Sequence, residues 1–160
     1  MNTIETLKRC ELFLGLDDKD IQKIIDLPSC QARAYDAQEI ILETGEEAKL
    51  LYVLKEGQVS LIIRQRANSL EQPEQTILRT ITTGGIFGWS ALVPPHFRMG
   101  RATSKGPCEV VSISGDELRA LFKKETRLGY EVFKALLSIL ASRIWNIEQL
   151  MLTGKRSPFI

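Results

Sequence analysis

Gly84-Gly85-Ile86-Phe87-Gly88-Trp89-Ser90-Ala91-Leu92, followed by Pro94-Pro95 and Arg98, puts three glycines within five residues and an arginine shortly after them. Glycine lets a backbone turn tightly and come close to a ligand. The small pair Ser90-Ala91 can open a short helix, whose first N–H groups lack internal acceptors and so suit an anion. Arg98 adds a fixed cation. Backbone donors with one guanidinium make a workable phosphate cradle, which makes Gly88, Ser90, Ala91 and Arg98 candidate ligand-binding residues.

On both sides of the cradle the apolar pattern has a period of two, from about residue 31 to 114. Glu39-Ile40-Ile41-Leu42 and Leu50-Leu51-Tyr52-Val53-Leu54 read as strands separated by the turn Thr44-Gly45-Glu46-Glu47. Lys55-Glu56-Gly57-Gln58 reads as a hairpin, and Val59, Leu61 and Ile63 alternate on one face of the next strand. A polar loop over 65–75 precedes Ile77-Leu78. Beyond the cradle, Arg101–Thr103 and Glu109–Ser114 are strands around Lys105-Gly106-Pro107. Short strands at this spacing with glycine turns indicate a sandwich or jelly roll.

The two ends change to helical period. Ile4, Leu7 and Lys8 open a short helix, and Asp17 or Asp18 caps a second, with Ile21, Ile24, Ile25 and Leu27 on one side and Pro28 as its stop. Ser114 or Asp116 caps a helix to Lys124, Glu125-Thr126-Arg127 breaks it, and a long helix covers about 128–152. The expected fold is α+β: a double-stranded β-helix, or jelly roll, flanked by N-terminal helices and a long C-terminal helix. The expected division is a roll with flanking helices over 1–125, the long helix over 126–152 and a tail over 153–160.

In the long helix Tyr130, Phe133, Leu137, Leu140, Ile144, Ile147 and Met151 repeat at alternating spacings of three and four. That is a coiled-coil seam. Val132, Leu136 and Ile139 add a second apolar stripe in the first half only. Two stripes on one helix suit two surfaces, the chain's own roll and a helix of a second copy, so a homodimer is expected; the alternative is that the seam packs on the chain's own domain. Asn146 and Gln149 are candidate polar contacts on that helix.

Composition narrows the function classes. A chain of 160 residues that is 44% apolar suits one packed domain, and a net charge of +1 provides no global field for nucleic acid. No apolar run reaches the ~18 residues of a membrane span, and the N-terminus has no apolar signal core. Cys10, Cys30 and Cys108 are dispersed and odd in number, as in reduced cytosolic thiols, so a cytoplasmic location is expected. They are too few for a four-cysteine iron–sulfur cluster. His96, the sole histidine, does not supply a zinc set or the metal set of a cupin-type enzyme, so neither a metal nor enzymatic activity is expected.

Helices, roll, short helix and long helix in this order resemble the cyclic-nucleotide-binding domain of catabolite-activator-type regulators, over roughly residues 10–152. The likeness rests on Leu12-Phe13-Leu14-Gly15-Leu16, on Gly45 with Tyr52-Val53-Leu54, Gly57 and Val59, and on Gly85, Phe87, Gly88 and Arg98. It implies a cyclic phosphate held by the backbone at Gly88 and Ser90-Ala91 and by Arg98, with Arg101 as the rival cation. It also implies a long helix that serves as dimer axis and part of the pocket. One position departs from the pattern: where the family has a glutamate that accepts from the sugar hydroxyl, this chain has Trp89. Indole N–H only donates. Trp89 either closes the sugar site or stacks on a different ligand, so it joins the candidate site residues. Three readings stay open for the ligand: a cyclic nucleotide, another small anion, or none.

The nine residues after Met151 do not hold the winged helix-turn-helix that such regulators usually carry, so direct DNA binding by that route is not expected. The expectation is a stand-alone, dimeric sensor or regulatory module that signals to an unidentified protein partner. The alternative is a ligand-free interaction and dimerisation module whose pocket Trp89 closes.

Overall fold

A computed structural model describes residues 2–64 and 75–153. The loop expected at 65–75 lies outside this range except for Gln75, and so does the tail beyond Thr153. Helix α1 (Thr3–Lys8) begins at Asn2, whose side chain accepts from Glu5 N while Glu5 returns the bond. Helix α2 (Asp18–Ile25) is capped by Asp17. The strands are β1 (Gln31–Tyr35), β2 (Ile40–Leu42), β3 (Leu50–Glu56), β4 (Val59–Arg64), β5 (Gln75–Ile81), β6 (Ile86–Phe87), β7 (Arg101–Ser104) and β8 (Cys108–Ser114). Helices α3 (Gly115–Lys124) and α4 (Thr126–Thr153) follow.

The strands form two four-stranded antiparallel sheets, in the orders β1-β8-β3-β6 and β2-β7-β4-β5. With the flanking helices this is the expected jelly roll. Strands β3 and β8 of the first sheet are buried on both faces, whereas β1 at its edge is exposed, which explains why Leu50–Leu54 reads as an unbroken apolar run. Leu51, Val53, Ile86, Val111 and Ile113 pack against the helices. Tyr52, Leu54, Phe87, Cys108 and Val110 point the other way, into the roll against Val59, Ile81 and Ala102 of the second sheet.

Some local expectations are corrected. The strand expected over residues 39–42 is confined to Ile40–Leu42, and Gln31–Tyr35 form a separate strand in the other sheet, the chain turning between them at Gln38 with φ 64. The two-residue strand β6 was read as part of the cradle; it is too short for any period to register. Ser114, rather than Asp116, caps α3. The break expected over Glu125-Thr126-Arg127 is confined to Glu125, and α4 already begins at Thr126. Gly129 lets the elbow close this tightly, since a Cβ there would lie 2.7 Å from Phe122 Cβ.

Candidate functional site

Gly88 decides the local path. The β3–β6 ladder ends at the Tyr52–Phe87 pair, and Gly88 turns the chain aside at φ 72 into a single 3-10 turn, Trp89–Ala91. The next rung would have engaged the carbonyl of Leu50, which therefore remains available. Arg98 takes it: Nη2 donates to Leu50 O at 2.6 Å and Nη1 to Gly88 O at 2.8 Å. Nη1 also lies 3.5 Å from Ser90 Oγ. A Cβ at Gly88 would fall 2.7 Å from Arg98 Nη1 and 2.9 Å from Leu50 O, so the position requires glycine for its space as well as its φ.

Arg98 is 6% exposed and makes no ion pair among the described residues. Burial pulls its pKa below the usual guanidinium value, opposed by the fields of Tyr52 and Glu46. The Tyr52 ring, stacked on Phe87 with centroids 4.9 Å apart, lies 5.9 Å from the guanidinium carbon. Glu46 is turned to the amide of Glu43, which donates to it at 3.2 Å. A buried cation held only by neutral groups, two carbonyls, a hydroxyl and an aromatic face, is costly unless an anion joins it.

Arg101 is held elsewhere. It grips Glu43 through two nitrogens, at 3.1 and 2.7 Å, and this pair lifts its pKa. Of the two rival arginines, only Arg98 is aimed at the glycine turn.

A cavity of about 140 Å³ opens beside Arg98, with Gly88, Trp89, Ser90, Met99 and Gly100 on its wall and Leu42, Leu61, Ile62 and Ile63 facing them. Trp89 lines this space without filling it. Its ring is half-buried and packs on the helix-side core. Among the described residues the N–H groups of Gly88, Trp89 and Ser90 have no backbone acceptor. The Ala91 N–H is used, donating to Gly88 O at 3.0 Å. The expected candidates thus do converge, except that Ala91 offers no free donor. The sequence reading missed the aliphatic wall from β2 and β4, because no local pattern shows which strands face the turn.

The turn is also tied to the helices. Arg119 donates to Ala91 O and pairs with Asp116. Gly115 abuts Ala91, where a Cβ would lie 2.3 Å from the carbonyl oxygen. Trp89, Leu92 and Val93 share one apolar cluster with Leu118, Phe122, Leu128, Val132 and Leu136. Of the two stripes on α4, Val132 and Leu136 are buried in this cluster, whereas Tyr130, Leu137, Ile144 and Ile147 of the seam are 49–72% exposed. Trp145 is exposed as well. Asn146 Oδ1 is buried without a partner among the described residues. No helix among the described residues is long and apolar enough to cross a membrane.

A family model described as "Cyclic nucleotide-binding domain" matches residues 32–125. The chain is 26% identical to a cAMP-dependent protein kinase regulatory subunit of Dictyostelium discoideum, over 98% of its own length and 48% of that protein's. It therefore spans about half of that relative. Among solved structures it is similar to a cyclic nucleotide-binding domain from Methylobacillus flagellatus, with a TM-score of 0.78, 18% identity and coverage of 98% of this chain and 84% of that one. It is also similar to the Thermus thermophilus catabolite activator protein, with a TM-score of 0.73, 21% identity and coverage of 90% and 63%.

Proposed function

The chain belongs to the cyclic nucleotide-binding domain family, and from that premise we propose that it is a ligand-responsive regulatory module whose Arg98 cradle binds a small anion. The family is one of regulatory rather than enzymatic modules, and the Dictyostelium relative is itself a regulatory subunit. One observation carries the proposal: Arg98 is a buried guanidinium with no carboxylate partner among the described residues, and it borders an open cavity. An anion entering there compensates a charge that the fold leaves unpaired. The plugged-pocket reading is less well supported, because Trp89 forms a wall beside open space.

The signal passes through the cassette. Trp89 belongs to the wall and packs on the helix-side core at once, Leu92 lies within that core, and Arg119 holds Ala91 O from α3. A ligand that shifts the 3-10 turn therefore changes the relative stability of two positions of α3 and α4, which is a differential-affinity switch. Residues 126–152 act as the dimerisation helix, with the exposed seam positions Tyr130, Leu137, Ile144 and Ile147 facing a second copy and the roll over 1–125 as the sensing unit. A protein partner receives the signal from this helix, and the module works in the cytoplasm.

The test is a thermal-shift panel of sulfate, phosphate, small carboxylates and cyclic nucleotides on wild type and Arg98→Lys. Wild type is expected to gain about 2–3 kcal/mol at ~100 times the Kd of a bound anion, and the variant, which lacks the two-pronged donor, to gain little. If both proteins ignore every anion, the sensing function is wrong.

A further inference from the structure

The cavity beside Arg98 has few polar groups. Leu42, Leu61, Ile62, Ile63, Met99 and the Trp89 ring supply most of its wall. The polar side-chain atoms are the Arg98 guanidinium, Ser90 Oγ and the indole N–H, which has no hydrogen-bond partner among the described residues. None of the described lining residues carries a carboxylate or carboxamide. A nucleotide buried here would bring sugar hydroxyls and base N–H groups with almost nothing to accept them. The charge in the cavity is that of one guanidinium, which a single negative charge neutralises. Size points the same way. At about 140 Å³ the space is close to the ~150 Å³ apolar hole that takes one benzene, and below the ~300 Å³ at which drug-sized pockets begin.

We infer that the occupant is a carboxylate monoanion whose body is a single aromatic ring or a short branched alkyl chain. This rests on the anion-binding reading of Arg98 and adds the apolar half of the ligand. The carboxylate faces the guanidinium fork, whose geometry suits two oxygens. The ring or alkyl body lies among Leu61, Ile62 and Ile63, with the Trp89 face as a planar wall.

The experiment uses Trp145→Phe, which removes an exposed indole (58%) and leaves Trp89 as the reporter. Benzoate, 3-methylbutanoate, acetate and cyclic AMP are titrated, following Trp89 emission and heat. Benzoate or 3-methylbutanoate is expected to bind at least tenfold more tightly than acetate and cyclic AMP, with a shift in Trp89 emission. Leu61→Asn, checked for folding by its thermal melt, is expected to cut the advantage over acetate below threefold. Equal affinity for acetate and benzoate, or tighter binding of cyclic AMP, overturns the apolar occupant while the cradle stands. Silence towards all four ligands and towards phosphate and sulfate, with Arg98→Lys melting as wild type does, removes the cradle as well.

Discussion

Arg98 donates from Nη1 to the carbonyl oxygen of Gly88 at 2.8 Å, so the cation and the glycine turn of the cradle are bonded to each other in the free protein. The bond holds the guanidinium at the cavity before any anion arrives, which lowers the ordering cost of binding. It also ties the shape of the turn to the state of the arginine: a ligand that draws Arg98 outward loosens Gly88, and with it the turn that packs on the helices.

Gly88→Ala is the direct test of that coupling. The new Cβ meets Arg98 Nη1 at 2.7 Å while the backbone holds φ 72. Positive φ in a residue with a Cβ costs ~1–2 kcal/mol before any clash is counted. We expect a loss of about 2–3 kcal/mol in urea denaturation and the loss of anion-induced stabilisation. A stability within ~0.5 kcal/mol of wild type would mean that the close approach is not a real constraint.

Trp89→Glu places a carboxylate where the family resemblance has its sugar acceptor. Wild type is expected to bind cyclic AMP with a Kd above roughly 100 μM, because the ribose hydroxyl lacks an acceptor. The variant is expected to bind at least tenfold more tightly by calorimetry, a gain of about 1.4 kcal/mol. It also melts lower, since the indole leaves the cluster with Leu118 and Phe122. An unchanged Kd in a folded variant would sink this account of the departure.

Leu137 and Ile144 test the dimer seam with little risk to the fold, being 72% and 56% exposed in the single chain. Leu137→Glu with Ile144→Glu is expected to leave the melt of the roll nearly unchanged and to convert a dimer into a monomer in sedimentation. Wild type sedimenting as a monomer at micromolar concentration removes the basis for the seam as an interface.

Glu11 and Arg143 are expected to be unequal partners. Glu11 Oε1 accepts from Ile86 N at 3.0 Å and sits 3.3 Å from Arg143 Nη2 and 3.6 Å from Arg79 Nη2. Glu11→Gln leaves two guanidiniums facing each other and should cost about 1–2 kcal/mol, less than a fully buried pair because Glu11 is one-third exposed. Arg143→Met should cost under ~1 kcal/mol, as Arg143 Nε is buried without a partner among the described residues. Equal losses in denaturation would show that the carboxylate is not the shared hub.

Cys10 supplies the pH dependence. Burial pushes its thiol from 9.0 up to about 12. The unfolded chain therefore releases this proton first, and the native state holds it between those values. The contribution to stability is complete below pH 9 and is lost as pH rises towards 12. Cys10→Ala is expected to flatten the decline of stability over that window, and native Cys10 should resist alkylation at pH 8. Rapid labelling of Cys10 in folded protein contradicts the burial.

The order of the elements and the jelly roll could be read from residue pattern, because glycine turns and apolar periods of two or 3.6 are local properties of the chain. The same holds for the cradle, whose glycines, small pair and arginine lie within fifteen residues, 84–98. The pattern separated the two stripes of α4 only in part: Phe133 and Leu140 of the seam pack on the chain's own core beside Val132 and Leu136, while Tyr130, Leu137, Ile144 and Ile147 stay exposed. Choosing between Arg98 and Arg101 was beyond it, because that depends on Glu43, which comes to Arg101 across the β2–β7 pairing. The aliphatic wall was equally hidden: Leu42 and Leu61–Ile63 face Trp89 only after the two sheets close on each other. Sequence by itself determined which backbone turns and which faces are apolar. Tertiary structure decided which cation stays unpaired and what surrounds it, because charge pairing and cavity walls are set by contacts between segments distant in the chain.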